Sequence, residues 1–250
     1  MSDQPLVTVV IPTYNALGHL PDCLASISEA LGEELGSRVV AHIQDGASDD
    51  GSAAYLEKLT LQGVSHSIQA DSGIYDAMNS ALAQANSPFV YFLGADDRLL
   101  PGFANALDNL QDPKAVYYGN VLFAHDMKPY DGPFNKVKLV YRNICHQAII
   151  YPRQLLLAHP FDARYAVYAD WAANIALMAR HPFVYLALEL AVYDNTGGAS
   201  FDGADAEFGA DKHRLLGESF GPGFALLSRT APLAVAALRL FQAPRRPGRG

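Results

Sequence analysis

Cysteine is almost missing from this chain: Cys23 and Cys145 are its only two in 250 residues. They lie far apart and form no metal-ligand spacing. That fits two buried thiols in a reducing compartment, with a single disulfide as the alternative. Basic residues are also scarce. Eighteen Lys and Arg against 26 Asp and Glu give a formal charge of −8. This argues against nucleic acid as the principal ligand, though a local basic patch could still hold phosphate. No stretch approaches the roughly 18 charge-free apolar residues of a spanning helix. The start of the chain carries Asp3 and reaches Pro12 after a short apolar run. It therefore lacks the basic region and long apolar region of a signal peptide. A cytoplasmic protein is expected, soluble or at the inner face of the cell membrane.

Several catalytic signatures are absent as well. No G-x-G-x-x-G follows the first apolar run, and no G-x-x-x-x-G-K-[ST] occurs, so dinucleotide and P-loop chemistry are unsupported. No G-x-S-x-G elbow marks an α/β hydrolase. His42, His66, His125, His146, His159, His181 and His213 are scattered, without the H-E-x-x-H spacing of a helical zinc site.

What the chain does have is apolar residues, half of its total, enough for the core of one large domain. Its clearest segment is Phe89 to Leu93, five apolar residues ending in Gly94-Ala95-Asp96-Asp97. An unbroken apolar run predicts a strand covered on both faces, as in a parallel sheet. Its carboxyl end is where open α/β sheets bind ligands. Adjacent carboxylates there suit a divalent cation; the alternative is a solvated Asp-Asp turn.

The first hundred residues alternate strand and helix about four times. Leu6–Ile11, Arg38–Gln44, Val64–Gln69 and Pro88–Leu93 read as strands. Helical spacing marks Leu17 to Leu31, Ala53 to Leu61 and Ile74 to Ala85. This predicts a parallel sheet flanked by helices. Polar clusters follow each strand: Thr13-Tyr14-Asn15, Asp45, Asp71 and Asp96-Asp97. Four clusters on one edge would line a single crevice.

The second half is less regular. Leu99–Leu110 reads as a helix, Ala115–Phe123 as a strand, and His125–Lys138 as a Pro- and Gly-rich loop. Cys145–Tyr151 and Pro182–Val192 read as strands around a helix opening at Tyr168-Ala169-Asp170-Trp171. The main domain is expected over 1–200, with a helical extension and basic tail over 201–250. Phe224 to Phe241 is apolar, and Arg245, Arg246 and Arg249 follow. Residues 224–249 could lie on an anionic membrane or pack on protein. A carboxylate-rich crevice suits Mn²⁺ or Mg²⁺, which takes one or two carboxylates and bridges to substrate phosphates.

The series VTVVIPTYN, DGASDDGS, SGIYDAMN, YFLGADD, CHQA, ADW and GGAS resembles glycosyltransferase family 2, in particular its bacterial polysaccharide-assembly branch. The resemblance covers residues 6 to 200. It implies a GT-A fold, a mostly parallel α/β sheet flanked by helices. It also implies a nucleotide-diphosphate-sugar donor, a UDP-sugar foremost, and inversion by direct displacement onto a glycan or lipid-linked acceptor.

By the same resemblance Pro12, Thr13 and Tyr14 would wall the nucleotide base, with Asp45 contacting it and Asp71 beside it. Asp96 and Asp97 would hold ribose and metal. Asp170 would be the general base; its alternative role is a first-turn carboxylate favoured by the helix dipole. His146, Gln147 and Trp171 would stand on the acceptor side, or His146 and Gln147 would be ordinary strand residues. Tyr75, Asp76 and Asn79 are ambiguous between bracing the helix and binding its preceding loop. Gly94 departs from the family's acidic position. Ser72 departs from a frequent lysine, leaving Arg98 and Arg142 as candidates to meet diphosphate. Two rivals stay open: a silent nucleotide-sugar-binding module, and a sugar nucleotidyltransferase, which would need a Gly-rich basic loop where PTYNALGH stands.

Overall fold

The computed structural model describes residues 4–130, 132–194 and 205–229. Its first half follows the alternation closely. β1 (Val7–Thr13), β2 (Val39–Asp45), β3 (Val64–Ile68) and β4 (Phe89–Phe92) pair in parallel, in the order β3-β2-β1-β4. Every residue of β1 and β4 is buried. Helices α1 (Leu20–Leu31), α2 (Ser52–Leu56) and α3 (Ile74–Gln84) make the connections. Pro21 sits in the first turn of α1, where a missing N–H costs nothing. Leu20, Leu24, Ile27 and Leu31 of that helix face the core. Each such fully buried aliphatic side chain contributes about 1.5–3 kcal/mol.

The sheet then changes character. β8 (Ile149–Pro152) joins β4 antiparallel, β6 (Val116–Phe123) joins β8 antiparallel, and β9 (Phe183–Tyr193) runs parallel to β6. β5 (Arg98–Leu99) and β7 (Pro129–Tyr130) add short antiparallel edges to β9 and β6. Parallel pairing thus carries the N-terminal half, and mixed pairing the rest.

Several local expectations are corrected. The helix read over Leu99–Leu110 starts later: Leu99 pairs with Ala191 in the sheet, and α4 spans only Gly102–Ala106 before a 3₁₀ turn. Its start lies so close to β9 that a Cβ on Gly102 would meet the Glu189 carbonyl oxygen. The loop read over His125–Lys138 contains β7 and the first residues of α5 (Lys136–Tyr141), whose Asn135 cap accepts from Lys138 N at 2.8 Å. His146 and Gln147 are not on a strand; they form a 3₁₀ turn ahead of β8. Helix α6 (Arg153–Ala158) was not anticipated, and α2 is shorter than its apolar spacing suggested.

Helix α7 (Ala169–Met178) is buried along nearly its whole length. α8 (Ala206–Phe220) packs on it through Phe208, whose ring lies 5.3 Å from that of Trp171. Asp205 caps α8 by accepting from Phe208 N, and its other oxygen accepts from Val167 N and Tyr168 N. Residues 222–229 are helical, and the remaining tail, with the boundary near residue 200, lies outside the described residues. Both cysteines are free thiols. Among the described residues no helix is long and apolar enough to cross a membrane.

Candidate active site

A cleft of about 820 Å³ opens at the carboxyl ends of β1 and β4 and the start of α3. Pro12, Thr13, Tyr14, His19, Asp71 and Asp96 all line it. The edge is built by hydrogen bonds between loops. Asn15, in the left-handed region at φ 50°, receives a bond from Asp49 N at 3.0 Å and donates its own N–H to Ser48 Oγ at 2.8 Å. Asp45 is fully buried, and both its oxygens are taken by Ser48, at 2.9 Å from N and 2.7 Å from Oγ. Its side chain therefore shapes the loop beneath the cleft. Asp71 turns its own loop by accepting from Gly73 N at 2.9 Å.

The ambiguous residues of α3 resolve into bracing roles. Asp76 accepts from both N and Oγ of Ser72 at 2.9 Å, and these donors hold its carboxyl below the usual range. Asn79 clasps the backbone of Phe161 in both directions, at 2.8 and 3.1 Å. Ser72 thus serves the loop. Arg98 is exposed on β5, and Arg142 lies over the Tyr130 ring at 4.8 Å; neither lines the cleft.

The two aspartates after β4 have opposite environments. Asp97 is 1% exposed, and three donors meet its carboxylate. Gly94 N and Gln147 Nε2 donate to Oδ2 at 3.0 and 2.8 Å, and Asp194 N to Oδ1 at 3.0 Å. Burial, helped by the charge of Asp96, raises its pKa to about 6. Asp96 is open on the cleft side and ringed by protein on the others. This partial desolvation raises its pKa, and Asp194 adds in the same sense. A Cβ on Gly94 would lie 2.5 Å from Asp97 Oδ2 and 2.7 Å from Asp96 Oδ1. The missing acidic residue at 94 is therefore a matter of space. Among the described residues no three His, Cys, Asp or Glu side chains form a ready-made metal cage.

Gln147 carries the link to a second cavity. It and His146 line a chamber of about 380 Å³ with Tyr75, Phe123, Tyr193 and Asp170. Asp170 is 5% exposed at the first turn of α7. Its Oδ1 accepts from Trp171 N at 2.7 Å and lies 3.2 Å from Tyr75 Oη, which donates more closely to the Val167 carbonyl at 2.6 Å. Its Oδ2 lies 3.5 Å from His146 Nδ1. Trp171 does not line this chamber. Its indole donates to the Leu139 carbonyl at 2.8 Å, and Lys212 lies over the ring at 3.6 Å. Helix packing takes the side chain that sequence reading set on the acceptor side.

Comparison with known proteins gives the family and the fold. The family model described as Glycosyl transferase family 2 matches residues 8–165. The chain belongs to glycosyl transferase family 2. It is 33% identical over 217 residues to the PGL/p-HBAD biosynthesis glycosyltransferase of Mycobacterium bovis (strain BCG / Pasteur 1173P2), covering 82% of each chain. The same figures hold for the Mycobacterium tuberculosis (strain ATCC 25177 / H37Ra) protein of that name. Among solved structures, S. aureus TarS 1-349 superposes with a TM-score of 0.72 at 15% identity, covering 96% of this chain and 75% of that one. The mannosyltransferase PcManGT from Pyrobaculum calidifontis, in complex with GDP-Man and Mn²⁺, superposes at 0.60 with 20% identity, covering 94% and 76%. The fold is accordingly of the GT-A type, and the chain is a glycosyltransferase.

Three features of this glycosyltransferase escaped sequence reading. His19 lines the cleft beside Asp96; it falls just ahead of α1 with no motif around it. The Gln147–Asp97 bond spans 50 residues, and the Tyr75–Asp170 bond 95. No local pattern announces pairs so distant in sequence. The order of the quoted segments was the available signal.

Proposed function

We propose that this glycosyltransferase moves a sugar, with inversion, from a nucleotide-diphosphate donor to a hydroxyl of a glycan or lipid-linked acceptor. The observation that carries the reading is one hydrogen bond between the two cavities. Asp97, next in the chain to the cleft-lining Asp96, accepts from Gln147 of the chamber that holds Asp170. A donor in the cleft would present its anomeric carbon toward the chamber, where an acceptor hydroxyl meets a carboxylate. The fold relatives lend support, since S. aureus TarS 1-349 has been crystallised with UDP-GlcNAc. A UDP-sugar is the first donor to try.

The donor set suits a hard divalent ion. Asp96 offers carboxylate oxygens to the cleft, whereas both oxygens of Asp97 are occupied by N–H donors. We assign Asp96 as the ligand for Mn²⁺ or Mg²⁺ and Asp97 as the residue that fixes its loop. One or two carboxylates with substrate phosphates are the ordinary complement for such ions. When bound, the ion supplies charge neutralisation to the departing diphosphate.

The chain's own residues do the rest. Pro12, Thr13, Tyr14 and Asp71 wall the base and ribose, with Asp45 shaping the loop below them. Trp171 N holds Oδ1 of Asp170, with Tyr75 Oη beside it, leaving Oδ2 to receive a proton. A sugar hydroxyl is a poor nucleophile at neutral pH, and a positioned carboxylate removes its proton as the new bond forms. The acceptor oxygen bonds to the anomeric carbon from the face opposite the diphosphate. The diphosphate leaves with the electron pair, which inverts the centre. We further propose that residues 224–249 contact an anionic membrane surface, at the inner face of the cell membrane.

The test is turnover and binding across UDP-, GDP- and dTDP-sugars with Mn²⁺ or Mg²⁺. Binding raises thermal stability by mass action. Nucleotide-sugar binding with neither transfer nor hydrolysis, over a broad acceptor panel, would favour a silent binding module instead.

A further inference from the structure

We infer that the Asp170 chamber accepts an uncharged sugar ring and rejects acceptors whose nucleophile lies on, or next to, a phosphate. This rests on the proposed transfer reaction and narrows its acceptor. The chamber is small, about 380 Å³, and aromatic. Tyr75, Phe123, Tyr130, Tyr168 and Tyr193 contribute five rings to its lining. Phe123 forms a continuous wall, with ring centroids 5.4 Å from Tyr130 and 6.2 Å from Tyr193. Aromatic faces pair with the C–H faces of a pyranose, and their polar rims with its hydroxyls.

Charge sets the second half of the inference. The chamber holds the Asp170 carboxylate, and no Lys or Arg is among its described lining residues. Arg142 lies over the face of Tyr130 at 4.8 Å without reaching the lining. A phosphate placed beside Asp170 would meet like charge, and His146, the one basic side chain in the described lining, already lies 3.5 Å from that carboxylate; such juxtaposition is disfavoured. Hydroxyls fare better: a neutral sugar ring brings no like charge to Asp170, and its hydroxyls can donate to that carboxylate.

The test uses the full chain, Mn²⁺ and whichever nucleotide sugar binds. Methyl hexopyranosides are compared with their 6-phosphates and with farnesyl phosphate as acceptors. Expected are a kcat/KM at least 100-fold higher for uncharged pyranosides, and a 10-fold or greater rise in acceptor KM in Phe123→Ala with donor affinity unchanged. Phe123→Leu serves the same purpose if the alanine variant does not fold. Equal or faster transfer to phosphorylated acceptors would overturn the inference, as would an unchanged acceptor KM in the folded variant. Should no acceptor turn over, ligand-observed NMR of the same compounds decides. Pyranosides must bind more tightly than their phosphates, and Asp170→Asn must narrow that gap; the reverse order overturns the inference. Failure of the transfer reading itself is read separately, as absence of nucleotide-sugar binding.

Discussion

His146 Nδ1 lies 3.5 Å from Oδ2 of Asp170, the oxygen that neither Tyr75 nor the Trp171 backbone engages. The two oxygens of this carboxylate are thus unequal. Oδ1 is anchored at the start of α7, and Oδ2 faces the residue that precedes Gln147. Through Gln147 the same 3₁₀ turn grips Asp97 on the cleft side. The adjacent residues His146 and Gln147 therefore contact Asp170 of the chamber and Asp97 at the cleft edge, respectively.

Replacing Asp170 by Asn keeps the shape and removes the basic oxygen. General-base catalysis is worth about 10²–10⁴-fold, so kcat should fall by that factor. The affinity for nucleotide sugar should hold, since Asp170 lines the chamber and not the cleft. Paired turnover and calorimetric binding measurements separate the two. Preserved transfer in a folded variant would remove Asp170 as the base.

Gly94 gives a steric prediction. Any side chain there enters the space of the Asp96 and Asp97 carboxylates, and Asp97 is pinned by three donors. Gly94→Ala should cost about 1–3 kcal/mol, the usual range for overpacking, and weaken metal-dependent nucleotide binding. Gly94→Asp, which restores the more common acidic residue, should do the same. Undiminished binding in Gly94→Asp would show that the carboxylates can part.

These two sites also mark what the sequence made legible. The strand before Asp96 was readable because β4 is buried on both faces, and the apolar spacing after Asp170 placed that residue at a helix start. The different fates of Asp96 and Asp97 were not readable. They depend on Gln147 and Asp194, contributed by segments 50 and 97 residues away. Trp171 lies away from the chamber that its neighbour Asp170 lines, because successive helix positions point about 100° apart. β5 and β7 were missed because two-residue edge strands carry no periodicity.

Trp171 should behave as a packing residue. Its indole is buried between the Leu139 carbonyl, Phe208 and Lys212. Trp171→Ala should destabilise by about 3–5 kcal/mol. Trp171→Phe should restore much of that and leave acceptor KM within twofold, measured with any acceptor that turns over. A tenfold rise in KM for the folded Phe variant would return this residue to the acceptor side.

Asp97 links stability to pH in a defined window. Its folded pKa of about 6 lies above the ordinary 3.8, so the folded state holds this proton more tightly than the unfolded chain. The stabilisation is complete below about pH 4 and is lost as pH rises through about 6. Two units correspond to a contribution on the order of 3 kcal/mol. Asp96, also raised, adds in the same sense. Asp76 and Asp162, whose pKa values are depressed, act oppositely and only at lower pH. In Asp97→Asn the new amide can donate to Gln147 once that side chain flips, because its Oε1 has no partner. Thermal melts of metal-free protein in chelator, from pH 4.5 to 7.5, are the measurement. The wild-type midpoint relative to Asp97→Asn should decline steadily to about pH 6.5 and then level off. Parallel curves across the range would mean that Asp97 ionises in the folded protein as freely as in the unfolded chain.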